Sequence, residues 1–197
     1  MIKRKPSKKQ KRRNPELQEK AYEIFQFLNP SFWRYLAEGD YAEIYKFSIS
    51  QNTRIPFVKE NIVLKPGIYC LKIFNSGENL DLKSRNFLKK LSKHKLIPEI
   101  FLITSDIIIM GYIDGDTLLN LMEEIPPGIL ERIFRDLYKI IERYHDLGYS
   151  HSDLHLKNIL IDKNNDVHVI DPKINKKDFD DDNDTLSNYY IRYIGNL

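Results

Sequence analysis

Apolar residues recur along the chain with two different periods, and each period predicts a different kind of element. Spacings of three and four residues are typical of amphipathic helices, whereas short apolar runs between turn-forming residues are typical of strands. The predicted helices cover residues 16–28, 80–94, 128–147 and 186–194, with a short helix that starts at 115–117. The predicted strands lie at both ends of 36–47 and over 68–74, 96–103, 107–113, 159–161 and 167–170, with 61–64 as a further candidate.

The last two predicted strands belong to the most informative stretch, residues 149–172, which has the order loop, strand, turn, strand and acid. A hairpin of this kind brings Asp153, Asn158 and Asp171 to one of its ends. Two carboxylates close together raise each other's pKa unless a cation lies between them, and Mg²⁺ is a cation that prefers oxygen ligands. The stretch therefore predicts a magnesium site. The alternative is a β-hairpin with polar loop residues and no chemistry.

The spacing of His151, Asp153 and Asn158, followed by two short strands and Asp171, resembles the catalytic and metal-binding core of the protein-kinase-like superfamily. The resemblance covers residues 36–171. It implies an α+β, bilobal protein-kinase-like fold with a β-rich N-lobe and a truncated helical C-lobe. It also implies that Asp153 orients or deprotonates the acceptor hydroxyl and that Asn158 and Asp171 bind metal, with ATP and Mg²⁺ as cofactors.

Three earlier stretches resemble the ATP-binding parts of the same superfamily. Residues 36–47 resemble its glycine-rich loop, of which the middle glycine is kept, and residues 68–74 resemble its third strand, with Lys72 as the lysine that meets the phosphates. Residues 107–113 resemble the strand that enters the hinge, where backbone groups would meet the adenine. The ATP-binding residues that the resemblance implies are Ala37, Gly39, Ala42, Ile44, Cys70, Lys72, Met110, Gly111, Tyr112 and Ile113.

Lys72 needs an anionic partner because a lysine within an apolar strand is costly to desolvate. The family places a glutamate for this purpose on the following helix, but the equivalent position here is Ser84. Asp81, three residues earlier on the predicted helix, and Glu78 are the candidates to replace it. We expect Asp81 to pair with Lys72, at least when nucleotide is bound.

Further departures from the family pattern point to a compact kinase. Pro172 and Lys173 replace the Phe and Gly that follow the metal-binding Asp, which argues against regulation by a flip of that segment. Only 26 residues follow Asp171, too few for a long activation segment. The chain is thus similar to RIO-type kinases, the KEOPS-complex kinase, bacterial effector kinases and small kinase-like proteins of large DNA viruses. Asp184 is a candidate for the Asp that braces the catalytic loop, and a solvated acidic turn is the alternative.

The resemblance favours an enzyme that transfers the γ-phosphate of ATP to a hydroxyl, as a serine/threonine protein kinase with a protein substrate. A small-molecule kinase is an alternative, because His155 occupies a position where aminoglycoside and choline kinases also have histidine. A pseudokinase that acts as a binding module is another, because the glutamate is replaced and two loop glycines are lost. Zinc binding by His145, His151 and His155 is disfavoured, because their spacing matches no standard ligand set.

Composition and charge agree with a globular intracellular protein. The chain has 197 residues, 42% of them hydrophobic, and its single cysteine, Cys70, excludes an internal disulfide and suggests a reducing compartment. Its predicted parts are a basic disordered tail (1–15), an N-terminal helix (16–30), an N-lobe (31–110) and a C-lobe (111–197). The tail predicts contact with an acidic partner or nucleic acid. We expect a cytoplasmic location, or a nuclear one if the tail is an import signal, and no membrane contact.

Overall fold

The computed structural model describes residues 14–38, 41–55, 61–173 and 179–195. The chain divides into two compact units, Met1–Asn79 and Leu80–Leu197. Strands dominate the first unit and four of the five helices of the described residues lie in the second, which is the α+β arrangement expected of a kinase-like chain. None of these helices combines the length and the apolar content that a bilayer span requires.

The first unit is an antiparallel sheet with one helix on it. It contains α1 (Pro15–Leu28), β1 (Phe32–Glu38), β2 (Ala42–Ile49), β3 (Thr53–Arg54), β4 (Val63–Leu64) and β5 (Gly67–Phe74). Strand β2 pairs with β1 and β5, and β3 pairs with β4. Helix α1 begins where the sequence predicts, because Pro15 opens it and the Asn14 side chain accepts the Glu16 N–H at 3.1 Å.

The buried face of this sheet lies against α1. The Phe25 ring of α1 lies 4.8 Å from Trp33 and 5.5 Å from Phe47, centroid to centroid. Because side chains alternate between the faces of a strand, the residues between the buried ones point the other way. Ile44 pairs in register with Lys72, and Lys46 pairs with Cys70. All four are half-buried, so they form a second face, away from α1.

The second unit contains the remaining elements. They are α2 (Leu82–Lys93), β6 (Ile100–Ile103), β7 (Ile107–Gly111), β8 (Gly115–Thr117), α3 (Leu118–Leu121), α4 (Pro127–Asp146), β9 (Ile159–Asp162), β10 (Val167–Val169) and α5 (Phe179–Tyr193). Strands β6 and β7 form a hairpin, and β9 pairs with both β8 and β10. Helix α4 contacts β10 and α5. Its apolar side is buried through Leu130, Ile133, Phe134, Leu137, Ile141 and Tyr144.

Three of the differences from the predicted boundaries have a clear physical reason. Strand β6 begins only at Ile100, after Pro98, because proline cannot donate a strand hydrogen bond. Residues 115–117 form a strand rather than a helix start, although Thr117 does cap the following α3. A Cβ at Gly115 would overlap the Ile161 carbonyl oxygen, so only glycine permits this approach of β8 to β9.

The third difference is at α5, which begins at Phe179, seven residues before the prediction. The three aspartates at 180–182 lie in its first turn, where carboxylates interact favourably with the positive end of the helix dipole. The acidic turn expected at 178–184 is therefore a helical turn from Phe179 onward. Residues 174–178 lie outside the described part of the chain.

Candidate active site

The β9–β10 hairpin predicted from the sequence is present and brings the polar groups at its open end together. Val169 pairs with Ile159, and the next residue outward, Ile170, donates its N–H to the Asn158 carbonyl at 2.9 Å. Asp171 thus follows directly after the residue that is bonded to Asn158. Its φ of 54° is unusual for a residue other than glycine, and aspartate and asparagine tolerate this conformation best.

Asn158 connects the end of the hairpin to Asp153. It is buried, and its side-chain nitrogen donates to the Asp153 carbonyl at 2.9 Å and to Asp153 Oδ2 at 3.3 Å. Because the amide nitrogen has these two acceptors, the amide oxygen is the atom that Asn158 can offer to a cation. Two carboxylates and an amide oxygen are the hard donors that Mg²⁺ prefers, so the donor set fits that ion.

His151 joins the loop to the segment that leads into Asp171. Its Nδ1 accepts the Asp153 N–H at 3.3 Å and its Nε2 donates to the Ile170 carbonyl at 3.0 Å, which requires the neutral imidazole. Burial lowers the pKa of His151, which favours the neutral form of the ring. The ring therefore holds Asp153 and the residue before Asp171 in fixed positions.

Asp182 braces the loop, a role that the sequence had suggested for Asp184. Asp182 is fully buried and accepts the N–H of His151 at 2.7 Å and of Ser152 at 3.0 Å. It also bonds His145 Nε2 at 3.2 Å, whereas Asp184 is exposed on the same helix. Of the two alternatives for Asp184, the bracing role is not observed and the residue is exposed, because α5 turns Asp182 and not Asp184 toward the loop.

This brace holds a strained backbone in place. Ser152 has a φ of 55°, which costs free energy for a residue with a side chain, and its N–H is one of the two that Asp182 accepts. Ser152 Oγ also lies 2.5 Å from Ser150 Oγ. Strained residues persist only where surrounding bonds determine them, so Asp182 sets the direction in which Asp153 leaves the loop.

Two basic side chains flank the Asp153 carboxylate. Lys173 Nζ lies 3.2 Å from Oδ1, and His155 Nε2 lies 3.9 Å from Oδ2. The Asp153 side chain is 25% exposed, so solvent or a substrate group can reach it. His155 is only two residues from Asp153 along the chain, whereas Lys173 is twenty residues away, and its contact with Asp153 was not predicted.

The three histidines that were considered as zinc ligands contact other groups. His145 bonds Asp182, His151 bonds the Ile170 carbonyl, and His155 lies beside Asp153. Within the described ranges, no cluster of three or more His, Cys, Asp or Glu side chains has the arrangement of a metal site. Asp153, Asn158 and Asp171 are not such a cluster, because one of the three donors is an amide.

Some of the ATP-binding residues that the resemblance implies lie together in the first unit. Ile44, Cys70 and Lys72 share the sheet face that points away from α1, and Lys72 Nζ lies 5.5 Å from the centre of the Phe74 ring. Ala37 pairs with Ile44 across β1 and β2, and Ala42, in β2, is buried. Gly39 lies outside the described residues.

The implied hinge residues of the second unit occupy the end of β7. Met110 pairs with Ile100, and the Gly111 N–H donates to the Glu99 carbonyl at 2.8 Å. The Gly111 N–H is therefore engaged within its own hairpin. Tyr112 and Ile113 follow the strand and are half-buried.

The two candidate partners of Lys72, Asp81 and Glu78, lie at the start of α2 and in the turn after β5. Asp81 caps α2, because its Oδ1 accepts the Ser84 N–H at 2.6 Å, and this bond lowers the pKa of the Asp81 carboxyl. Ser84, at the expected glutamate position, lies in the first turn of α2. Glu78 is exposed in the turn after β5. The capping role was not predicted, although an aspartate directly before an apolar helical pattern is a known start signal.

The hairpin, its polar end and the strand-rich first unit together define a protein-kinase-like chain. Comparison with known families agrees: a family model for the RIO domain matches residues 79–177, half of the chain. The chain belongs to the RIO domain family, whose members are atypical protein kinases, that is, ATP-binding phosphotransferases. A comparison with curated proteins finds no match. The match includes Asp81, Asp153, Asn158 and Asp171, whereas Lys72 precedes it.

Acidification is expected to destabilise the protein through His151. Its pKa in the folded state is lowered from the ordinary 6.5, so below about pH 6.5 the unfolded chain binds a proton that the folded protein excludes. Stability is therefore lost as the pH falls through that window, by up to about 1.4 kcal/mol per pH unit. Urea unfolding of His151→Gln should show a smaller pH slope than the wild type. The exposed His94→Gln variant should keep the wild-type slope, and equal slopes for all three proteins would contradict the assignment.

The expected pairing of Asp81 with Lys72 can be tested separately from the cap. Asp81→Asn keeps a good N-cap and removes the charge, whereas Asp81→Ala also removes the cap and destabilises α2. If the pair forms, Asp81→Asn should lower phosphoryl transfer nearly as far as Lys72→Met, and the double variant should be little worse than either. Multiplicative losses would exclude the pair, and the same cycle with Glu78→Gln would then test the next candidate.

Proposed function

We propose that the chain is a compact ATP- and Mg²⁺-dependent kinase that phosphorylates serine or threonine hydroxyls of a protein. The observation that carries the proposal is the end of the β9–β10 hairpin, where Asn158 bonds Asp153 and Asp171 follows the pair formed by Asn158 and Ile170. This arrangement lies inside the RIO domain match. Residues 36–74, where the glycine-rich loop and the lysine strand are expected, lie before it.

Each polar residue has a distinct part in the proposed reaction. Asp153 orients the acceptor hydroxyl and takes its proton, and Asn158 fixes the Asp153 carboxylate through its amide nitrogen. The Asn158 amide oxygen and the Asp171 carboxylate would hold Mg²⁺, which neutralises charge on the phosphates when it is bound. Lys72 would bind the same phosphates. The rate gain then comes mostly from positioning and electrostatic stabilisation.

The exposure of the site supports a protein acceptor. Asp153 is a quarter exposed, and the flanking side chains of His155 and Lys173 are 47% and 59% exposed. A carboxylate at such an open position can receive a hydroxyl that projects from the surface of another protein. His155 supports the second candidate, a small-molecule kinase, because the resemblance associates a histidine at this position with that class.

An assay with γ-labelled ATP distinguishes these functions. The chain is incubated with Mg²⁺ and with itself, a generic protein mixture, or sugars and amino alcohols as acceptors. The proposal predicts label on protein serine or threonine, and Asp153→Asn should transfer none. Label found only on small molecules would support the second candidate. ATP binding without transfer to any acceptor would identify a pseudokinase, as the replacement of the glutamate at Ser84 suggests.

We propose further that the basic N-terminal tail binds an acidic partner. Residues 1–13 lie outside the described part of the chain, and they contain eight lysine and arginine residues. Deletion of 1–13 should leave ATP turnover unchanged and weaken binding to duplex nucleic acid or to an acidic protein. With duplex nucleic acid, each lost phosphate contact should lower the salt dependence of log K by about 0.9. Unchanged binding after the deletion would contradict the proposal.

A further inference from the structure

The Lys173 ammonium lies at the Asp153 carboxylate, twenty residues away along the chain. Asp171 has a φ of 54°, and the proline ring restricts the φ of Pro172. The Lys173 ammonium donates to Asp153 Oδ1 at 3.2 Å. The other oxygen, Oδ2, faces the Asn158 amide at 3.3 Å. The two oxygens of one carboxylate therefore have different partners, one buried and one exposed.

The contact of Lys173 with Asp153 adds little to stability. The lysine side chain is 59% exposed and the aspartate 25%, and ion pairs at such exposure are weak because water and salt screen them. A long, exposed lysine can also exchange one anion for another without rearranging the fold. The weak ion pair with Asp153 is therefore not a sufficient reason, in terms of stability, for the placement of this lysine.

A reacting phosphoryl group must lie beside the same carboxylate. If Asp153 orients the hydroxyl, the hydroxyl oxygen contacts both the carboxylate and the phosphorus that it attacks. That oxygen forms the new bond to the γ-phosphorus while the bond to the bridging oxygen breaks, ADP leaves with the electron pair, and Asp153 receives the proton. An ammonium in contact with Asp153 is then close to the oxygens of the phosphoryl group in transit.

We propose that Lys173 binds the terminal phosphate of ATP and stabilises it during transfer, moving from Asp153 to the phosphate when nucleotide and acceptor bind. This inference rests on the proposed function. It assigns to Lys173 a role specific to the γ-phosphate, which ADP lacks, whereas Lys72 and the metal ligands would act on phosphates that ADP retains in part. The proposal therefore predicts that Lys173 strengthens the binding of ATP but not the binding of ADP.

Calorimetric binding of ATP and of ADP, each with Mg²⁺, tests the proposal. Lys173→Ala should weaken ATP binding about tenfold, as the loss of one charge-assisted contact does, and leave ADP binding unchanged. Lys173→Arg should keep most of the preference. Lys163→Ala is the matched control, because Lys163 is an exposed lysine on the turn between β9 and β10. It should bind both nucleotides as the wild type does.

Transfer kinetics separate this inference from the function on which it rests. In an active wild type, Lys173→Ala should lower kcat at saturating ATP by about tenfold or more. Equal weakening of ATP and ADP binding, or no change in ATP binding or kcat, would overturn the role of Lys173 and leave the kinase assignment standing. A wild type that binds ATP but transfers no phosphate would overturn the proposed function. ATP-specific weakening in Lys173→Ala would then still establish the phosphate contact.

Discussion

Replacement of Asp171 by asparagine is expected to lower phosphoryl transfer by about three orders of magnitude while the fold stays intact. Asparagine has nearly the same shape and tolerates the left-handed conformation at this position, where φ is 54°. It removes the negative charge that would hold Mg²⁺, and such a ligand contributes several kcal/mol to transition-state stabilisation. Initial rates at several Mg²⁺ concentrations, together with thermal unfolding, measure both effects.

The control for Asp171→Asn is Asp166→Asn, on the exposed turn between β9 and β10. Asp166→Asn, an exposed substitution, should unfold within about 0.5 kcal/mol of the wild type, and Asp171→Asn should remain folded under the assay conditions. Only Asp171→Asn should lose activity. Near-normal activity of Asp171→Asn with a normal Mg²⁺ dependence would show that Asp171 is not a metal ligand.

Replacement of Asp182 by alanine is expected to lower the free energy of unfolding by about 3 kcal/mol or more. Asp182 is fully buried, and alanine would leave the N–H groups of His151 and Ser152 without their acceptor. The loop that carries Asp153 would lose its fixed direction, so transfer should fall as well. Urea unfolding and initial rates at a temperature where the variant remains folded measure the two losses.

Asp184→Ala is the matched control for Asp182→Ala, because Asp184 lies on the same helix and is exposed. Its stability should stay within about 0.5 kcal/mol of the wild type. Asp182→Asn, which keeps the shape and one acceptor oxygen, should lie between the two alanine variants. Equal losses in Asp182→Ala and Asp184→Ala would show that the buried bonds do not brace the loop.

The hairpin was predictable because its signals are local. Short apolar runs around a turn-rich segment determine both strands, and antiparallel pairing then brings Asn158 next to Ile170 without any further assumption. Asn158 also lies close to Asp153 because the two residues are only five positions apart in the same loop. The proximity of Asn158 to Asp153 and to Ile170 could therefore be predicted from the sequence.

The role of Asp182 was not predicted, because the spacing of apolar residues along a helix reveals only which apolar side chains are buried. Asp182 interrupts that period as a charged residue among other aspartates, so α5 was predicted to start too late. One signal was present: Leu186 is buried, and the residue four positions earlier on the same helical face is Asp182, not Asp184. Asp182 can therefore be identified from the sequence when polar residues are included in the helical face that contains Leu186.

The contact between Lys173 and Asp153 was beyond sequence reasoning for another reason. It joins two residues that lie twenty positions apart, across Asp171, whose φ is 54°. Residue spacing does not reveal such a backbone angle. The cap formed by Asp81, by contrast, has a local signal, because an aspartate directly before an apolar helical pattern favours a helix start.

Transfer of labelled γ-phosphate by the wild type and by Asp153→Asn, with ATP binding measured on the same preparations, tests the central claim most directly. The substitution keeps the shape of the side chain and removes the carboxylate that takes the hydroxyl proton. The account predicts that both proteins bind ATP with similar affinity and that the variant transfers phosphate at least about a thousandfold more slowly. Equal transfer by the two proteins would contradict it, as would a wild type that binds ATP and phosphorylates no acceptor.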